Sequence, residues 1–139
     1  MFKNLLLAFD GSEHALKAAR LAGEMARSSD AELRIVVAYD PLPAYLGEPD
    51  FQHVVSARLR HAEAVLQKAL EHVGKIPKEL KTEILEGPPA EAILAVAETR
   101  GNDLIIIGTR GLGRLSGLLL GSVSQKVVAH AQCPVLLVR

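Results

Sequence analysis

The chain has 139 residues and a mass of 14.9 kDa, one domain's worth, and long enough to bury roughly 68% of its unfolded surface without a disulfide or metal staple. Hydrophobic residues make up 49% and charged residues 23%, which excludes disorder, collagen and coiled coil, and apolar runs of about five residues exclude a membrane span, which takes roughly 20. Sixteen basic side chains balance sixteen acidic ones, and three Phe, two Tyr and no Trp supply no stacking platform, so neither charge nor aromatics point to a nucleic-acid partner.

Met1-Phe2-Lys3-Asn4 leads straight into an apolar run, with neither the h-region nor the cleavage site of a secretory signal. The single cysteine, Cys133, cannot form an internal disulfide; both features fit a cytoplasmic location. Asn4 to Phe9 is continuously apolar, the pattern of a strand buried on both faces. Ala15, Ala18, Ala19, Ala22, Met25 and Ala26 then recur at helical spacing. Leu33 to Tyr39 reads as a second strand, and the proline-rich stretch Asp40–Pro49 as a connector. From Asp50 to Val73 the longest helical pattern places Val54, Val55, Leu59, Ala62, Leu66, Ala69 and Leu70 on one side, with Gly74 as its C-cap. Lys81 to Leu85 is a third strand, Ala90 to Thr99 a helix entered through Pro88 and Pro89, and Leu104 to Ile107 a buried fourth strand. A glycine-rich loop, Gly108 to Gly121, precedes a helix from Ser122 to about Ala131 and a last strand, Val135 to Val138.

Strict alternation of strand and helix predicts an α/β fold: an open parallel sheet with helices on both faces and right-handed crossovers. Ligands bind such sheets beyond the carboxyl ends of the strands, where the connections diverge. The ends of the first, second and fourth strands are therefore the places to look.

The loop after the fourth strand carries Gly108, Gly111, Gly113, Gly117 and Gly121, which permit sharp turns and close approach of backbone to a ligand. It ends at a helix N-terminus, where free N–H groups favour an anion, and it carries Arg110 and Arg114 as partners for phosphate. Ser122 and Gln125 also fit an S-x-x-Q capping box, and a capping hydroxyl can sit beside a phosphate. Asp10, at the end of the first strand, is an acceptor for a ribose hydroxyl or a base amino group; with Glu13 it equally fits a D-x-x-E cap.

Gly108-x-x-Gly111, nine residues, then Gly121-Ser122 resembles the nucleotide-binding signature of the universal stress protein family. Leu6-Leu7-Ala8-Phe9-Asp10-Gly11-Ser12-Glu13 is similar to that family's opening strand and turn, and Cys133-Pro134-Val135-Leu136-Leu137-Val138 to its ending. The resemblance runs the whole chain and implies a Rossmann-like, five-stranded sheet that binds ATP at its carboxyl edge. It places Ala8 and Asp10 beside the base and ribose, and Ala38 near the adenine. It puts Ile107, Gly108 and Gly111 beneath the nucleotide, and Gly121, Ser122 and Val123 on the phosphates. Gly113, with Arg110 and Arg114, completes the expected ATP site. Alanine at Ala8 and Ala38, where larger apolar residues are common, reduces the packing available to adenine.

Several chemistries lack their residues. There is no P-loop G-x-x-x-x-G-K-[ST], no dinucleotide glycine fingerprint after the first strand, and no G-x-S-x-G elbow. Asp10, Ser12 and His14 are too crowded at one helix start for a triad. His14, His53, His61, His72 and His130 lack zinc-ligand spacing; His53 and His61 read as surface residues, and Cys133 as a small buried hydrophobe. A phosphoreceiver would need an acidic pair after the first strand, an aspartate after the third and a lysine after the fifth, and the chain has none of these.

The expected function is a stress-response module whose ATP state, with Mg²⁺ held through the phosphates and water, tunes contacts with protein partners. Alternatives are a slow ATPase or phosphotransferase using Asp10, Ser122, Arg110 and Arg114, or a dimeric interaction module without ligand. In the family's strand order Val135–Val138 lies at a sheet edge, and pairing it with its own copy predicts a homodimer. The Asp40–Asp50 loop lies on the binding side, where a lid would sit.

Overall fold

The computed structural model describes residues 1–40, 47, 50–110 and 120–139. Strands and helices alternate as the apolar runs dictate: β1 (Asn4–Ala8), α1 (Glu13–Ser29), β2 (Glu32–Tyr39), α2 (Asp50–Val73), β3 (Leu80–Glu86), α3 (Pro89–Thr99), β4 (Leu104–Gly108), α4 (Ser122–His130) and β5 (Val135–Val138). All strands are parallel, in the order β3-β2-β1-β4-β5. The chain builds outward from β1 in one direction, then crosses back to lay β4 and β5 on its other side. β1 and β4 thus flank the switch point, with Ala8 in register with Ile107.

The period-two alternation of the strands divides the core into two layers. Leu5, Leu7, Leu33, Ile35, Val37, Leu104 and Ile106 meet α1 and α2. Leu6, Ala8, Val36, Ile105 and Ile107 meet α3 and α4. Leu6, Leu7, Ile105 and Ile106 are each 0% exposed, the mark of central strands covered on both faces. α1 packs through the expected alanine stripe, of which all but Met25 are fully buried. Small residues let α1 lie close to its neighbours, most of all at Gly23. A Cβ there would lie 3.0 Å from the Val73 carbonyl carbon and closer still to its oxygen. One turn further on, the Arg27 guanidinium donates to Val73 O at 2.7 Å and Lys75 O at 3.0 Å, closing the carboxyl end of α2. Gly74, at φ 73°, terminates that helix as expected.

One apolar position of α2 departs from the expectation. Leu59 is 39% exposed, and the buried residues of the helix are Ala62, Ala69 and Val73. Length explains this. Twenty-four helical residues span about 36 Å, whereas the eight residues of β2 reach only about 26 Å. The first turns of α2 overhang the carboxyl edge of the sheet. There His53, Val54, Arg58 and His61 line a second cavity, of about 710 Å³, with Val37, Tyr39 and Asp40. His53 and His61 are exposed, as expected.

No described helix is long and apolar enough to cross a membrane.

Candidate functional site

The carboxyl ends of β1, β2 and β4 open into a cavity of about 250 Å³. Ala8, Val36, Ala38 and Ile107 from the strands and Ile93 from α3 make one wall apolar; Asp10, Arg110 and the first turn of α4 (Ser122, Val123, Ser124) bring polar groups. Of the residues singled out from sequence, the fold gathers Ala8, Asp10, Ala38, Ile107, Gly108, Arg110, Gly121, Ser122 and Val123 around this one space. Gly111, Gly113 and Arg114 lie outside the described residues, as does most of the Asp40–Asp50 loop.

Local chemistry sets the Asp10 carboxylate. It does not cap α1. Ser12 is the N-cap, its Oγ accepting from Ala15 N at 3.3 Å, while Asp10 Oδ1 accepts from the Ser12 N–H at 2.9 Å. The D-x-x-E cap is therefore replaced by an Asx-type turn through Gly11, and the helix is capped two residues later at Ser12. This leaves Asp10 exposed at the cavity with a second carboxylate oxygen to offer.

The cap reading of Ser122 fails in a similar way. Gly121 is the N-cap of α4, with no side-chain cap, and Ser122 is the first helical residue. Gln125 Nε2 donates to Leu120 O at 2.8 Å rather than closing a capping box. The Gly121 N–H is taken by Thr109 O at 2.7 Å. The N–H groups of Ser122 and Val123 have no helical acceptor, being in the first turn, and no hydrogen-bond partner among the described residues. They are donors at a helix end that favours negative charge.

Gly108 is needed for a reason the sequence hides. A Cβ there would come within 2.8 Å of His14 Cβ and 3.0 Å of Ala15 N, so the end of β4 touches the first turn of α1 directly. Sequence reasoning also missed Ser12, Ser124, Pro89 and Ile93 in the lining. Pro89 was legible only as a helix start.

Among the described residues, no group of three or more His, Cys, Asp or Glu side chains is placed to hold a metal ion. Cys133 is half-buried against the α3–α4 layer. Burial, with a smaller contribution from the Asp103 charge, pushes its thiol above the ordinary range.

A doubly wound parallel sheet, with an apolar wall and a helix N-terminus meeting across its switch point, defines a class of nucleotide-binding fold. The profile of the universal stress protein family matches residues 1–139, and the chain belongs to that family. The chain is 52% identical over 139 residues to a Thermus aquaticus protein described as "Universal stress protein in QAH/OAS sulfhydrylase 3'region", covering 100% of both. Among solved structures it is similar to universal stress protein UspA from Lactobacillus plantarum, with a TM-score of 0.86 and 27% identity over 99% of this chain and 98% of that one. It is also similar to a universal stress protein described in complex with cAMP, with a TM-score of 0.69 and 28% identity over 99% of this chain and 97% of that one.

Proposed function

We propose that the chain is a single-domain, cytoplasmic, nucleotide-binding regulatory module that holds ATP at the carboxyl edge of its sheet and changes its protein contacts with nucleotide state. The observation that carries this reading is the meeting of two unlike surfaces across one cavity. An apolar wall of Ala8, Ala38, Ile107 and Ile93 faces the first-turn N–H groups of Ser122 and Val123. The wall suits a purine and the amides suit phosphate. Asp10 stands beside both and suits a ribose hydroxyl. Gly108 and Arg110 complete the described part of the site, and Gly111, Gly113 and Arg114 belong to the same proposed set. The cAMP complex of the structural neighbour supports an adenine nucleotide as the ligand class.

Bound ATP would supply negative charge to the Ser122 and Val123 amides, which have no partner among the described residues. With no acidic cluster among the described residues, Mg²⁺ would be held through phosphate oxygens and water. Calorimetric titration of nucleotide-stripped protein with Mg-ATP tests the reading. Micromolar binding is expected, and no binding at millimolar ATP overturns it.

The two sheet edges differ in a way that supports a homodimer. β3 carries Lys81, Glu83 and Glu86, charges that discourage pairing, whereas β5 offers only Val135, Leu136, Leu137 and Val138, each half-buried. Pairing β5 with its own copy about a two-fold axis covers it. Light scattering at micromolar concentration is expected to give twice 14.9 kDa; a 14.9 kDa species excludes the dimer.

A further inference from the structure

Thr109, the residue after β4, is absent from the sequence signature, yet every polar group it has is engaged with a different element. Its N–H donates to Val138 O of β5 at 2.8 Å. Its carbonyl accepts from the Gly121 N–H at 2.7 Å and from the Ser124 hydroxyl at 2.8 Å, both at the start of α4. Its hydroxyl shares a hydrogen bond of 2.8 Å with His14 Nδ1 on α1. The next residue is held as well, since Ser12 Oγ donates to Arg110 O at 3.3 Å. The chain thus leaves the sheet at Thr109, makes the glycine-rich loop, and returns at Gly121 to the carbonyl it left.

This clasp has a geometric consequence. The two bonds on Thr109 O tie the end of β4 directly to the first turn of α4. The residue that bears that carbonyl is tied from the other side by its hydroxyl's bond to His14. His14 itself is held against Gly108, with no room between them for another atom. A helix N-terminus held in place before a ligand arrives spares the ligand the cost of ordering it.

We propose that Thr109, held by His14, is a positioning residue for the phosphates: it touches no part of the nucleotide but sets where the Ser122 and Val123 N–H groups stand relative to Asp10 and the apolar wall. This rests on the nucleotide reading above. Its signature is a selective loss of affinity for the phosphorylated part of the ligand, because adenosine would meet Ala8, Asp10 and Ala38, which the clasp does not orient.

The test compares adenosine and Mg-ATP on the full chain carrying Thr109→Val, which keeps shape and removes the hydroxyl, and Thr109→Ser, which restores the hydroxyl. Thr109→Val is expected to weaken ATP about tenfold, the range for one lost preorganising hydrogen bond, while adenosine changes less than about twofold. Thr109→Ser should restore ATP binding. Hydrogen exchange at the Gly121 amide gives a readout that needs no ligand: it should quicken in Thr109→Val and recover in Thr109→Ser. Should Thr109→Val fail to fold, His14→Leu removes the hydroxyl's partner from the α1 side, outside the cavity lining, with the same expected pattern. Equal loss of adenosine and ATP, or an unchanged ATP affinity with unchanged Gly121 exchange, overturns the inference and leaves the nucleotide reading standing. A wild-type protein that binds neither ligand overturns both.

Discussion

At the amino ends of the strands the Asp103 carboxylate accepts from the N–H groups of Lys3 at 2.9 Å and Asn4 at 3.0 Å, and the Asp103 N–H donates to Asn4 O at 2.9 Å. Asn102, only 6% exposed, donates to Asn4 Oδ1 at 2.9 Å, and Asn4 Nδ2 reaches Arg100 O and Gly101 O, both at 3.2 Å. Lys3 Nζ meets Ser29 O, the last carbonyl of α1, at 2.7 Å. At the carboxyl ends of the same strands the bonds around Thr109 tie β4 to its neighbours but leave a space open. Ala8 and Ile107 border a cavity of about 250 Å³, and the first turns of α1 and α4 and Pro89 of α3 line it. The difference follows from the direction of a parallel sheet. Helix C-termini, rich in unpaired carbonyls, collect at one end and are satisfied by side-chain donors. Helix N-termini, rich in unpaired N–H groups, collect at the other, where Ser12 caps α1 but α4 has no side-chain cap. One end is closed by hydrogen bonds, and the other keeps a cavity.

That division can be broken by experiment. The largest effect is expected at the sealed end: Asp103→Ala leaves two backbone N–H groups without their charged acceptor and should lower the unfolding free energy by about 3 kcal/mol, with the ATP affinity of the folded fraction unchanged. Denaturant titration and calorimetry on the same sample separate the two. A parallel loss of affinity would mean that the ends are coupled. Next, Gly108→Ala at the open end forces the new Cβ against His14 and should cost about 2 kcal/mol of stability while also weakening ATP, since it displaces the clasp. Smaller again, Asp10→Asn should weaken ATP about tenfold, or about 1.4 kcal/mol, with the denaturation midpoint nearly unmoved, because the amide oxygen can still accept from the Ser12 N–H. A large shift in midpoint with unchanged affinity would make Asp10 a structural residue. The smallest concerns Cys133. Its raised thiol pKa predicts that alkylation at neutral pH is slower than for a free thiol and accelerates only above the ordinary thiol range. Equal rates would mean that burial does not protect it.

Most of the fold was legible because each apolar run obeys one period. α2 spans Asp50–Val73 and β5 Val135–Val138, the bounds that the hydrophobic pattern predicts. The site was legible where a residue's type carries the message: glycines for close approach, a serine at a helix start, a carboxylate ending a strand. It was not legible where the message lies in a distant partner. His14 and Thr109 are 95 residues apart in sequence, and Lys3 and Asp103 are 100 apart, so no local pattern announces either pair. The two alternative capping readings fail for a related reason. Local spacing allowed Asp10 and Ser122 as caps, but the turn at Gly11 moved one cap to Ser12, and the clasp on Thr109 moved the other to Gly121. Both displacements leave the expected ligand groups at the cavity rather than consuming them in the helix ends.

The contact at Gly23 bears on how the molecule opens. Because no side chain separates α1 from the carboxyl end of α2 there, the Arg27 guanidinium reaches across and terminates the other helix. Fraying of the last turn of α2 is therefore coupled to α1, because Val73 O is held by a side chain from a different segment. In native-state hydrogen exchange the amides around Arg27 and those around Val73 should open with one shared free energy, as a single cooperative unit stitched from two stretches of chain. A large residue at position 23 would not merely crowd the core; it would split that unit in two and give the end of α2 an opening rate of its own.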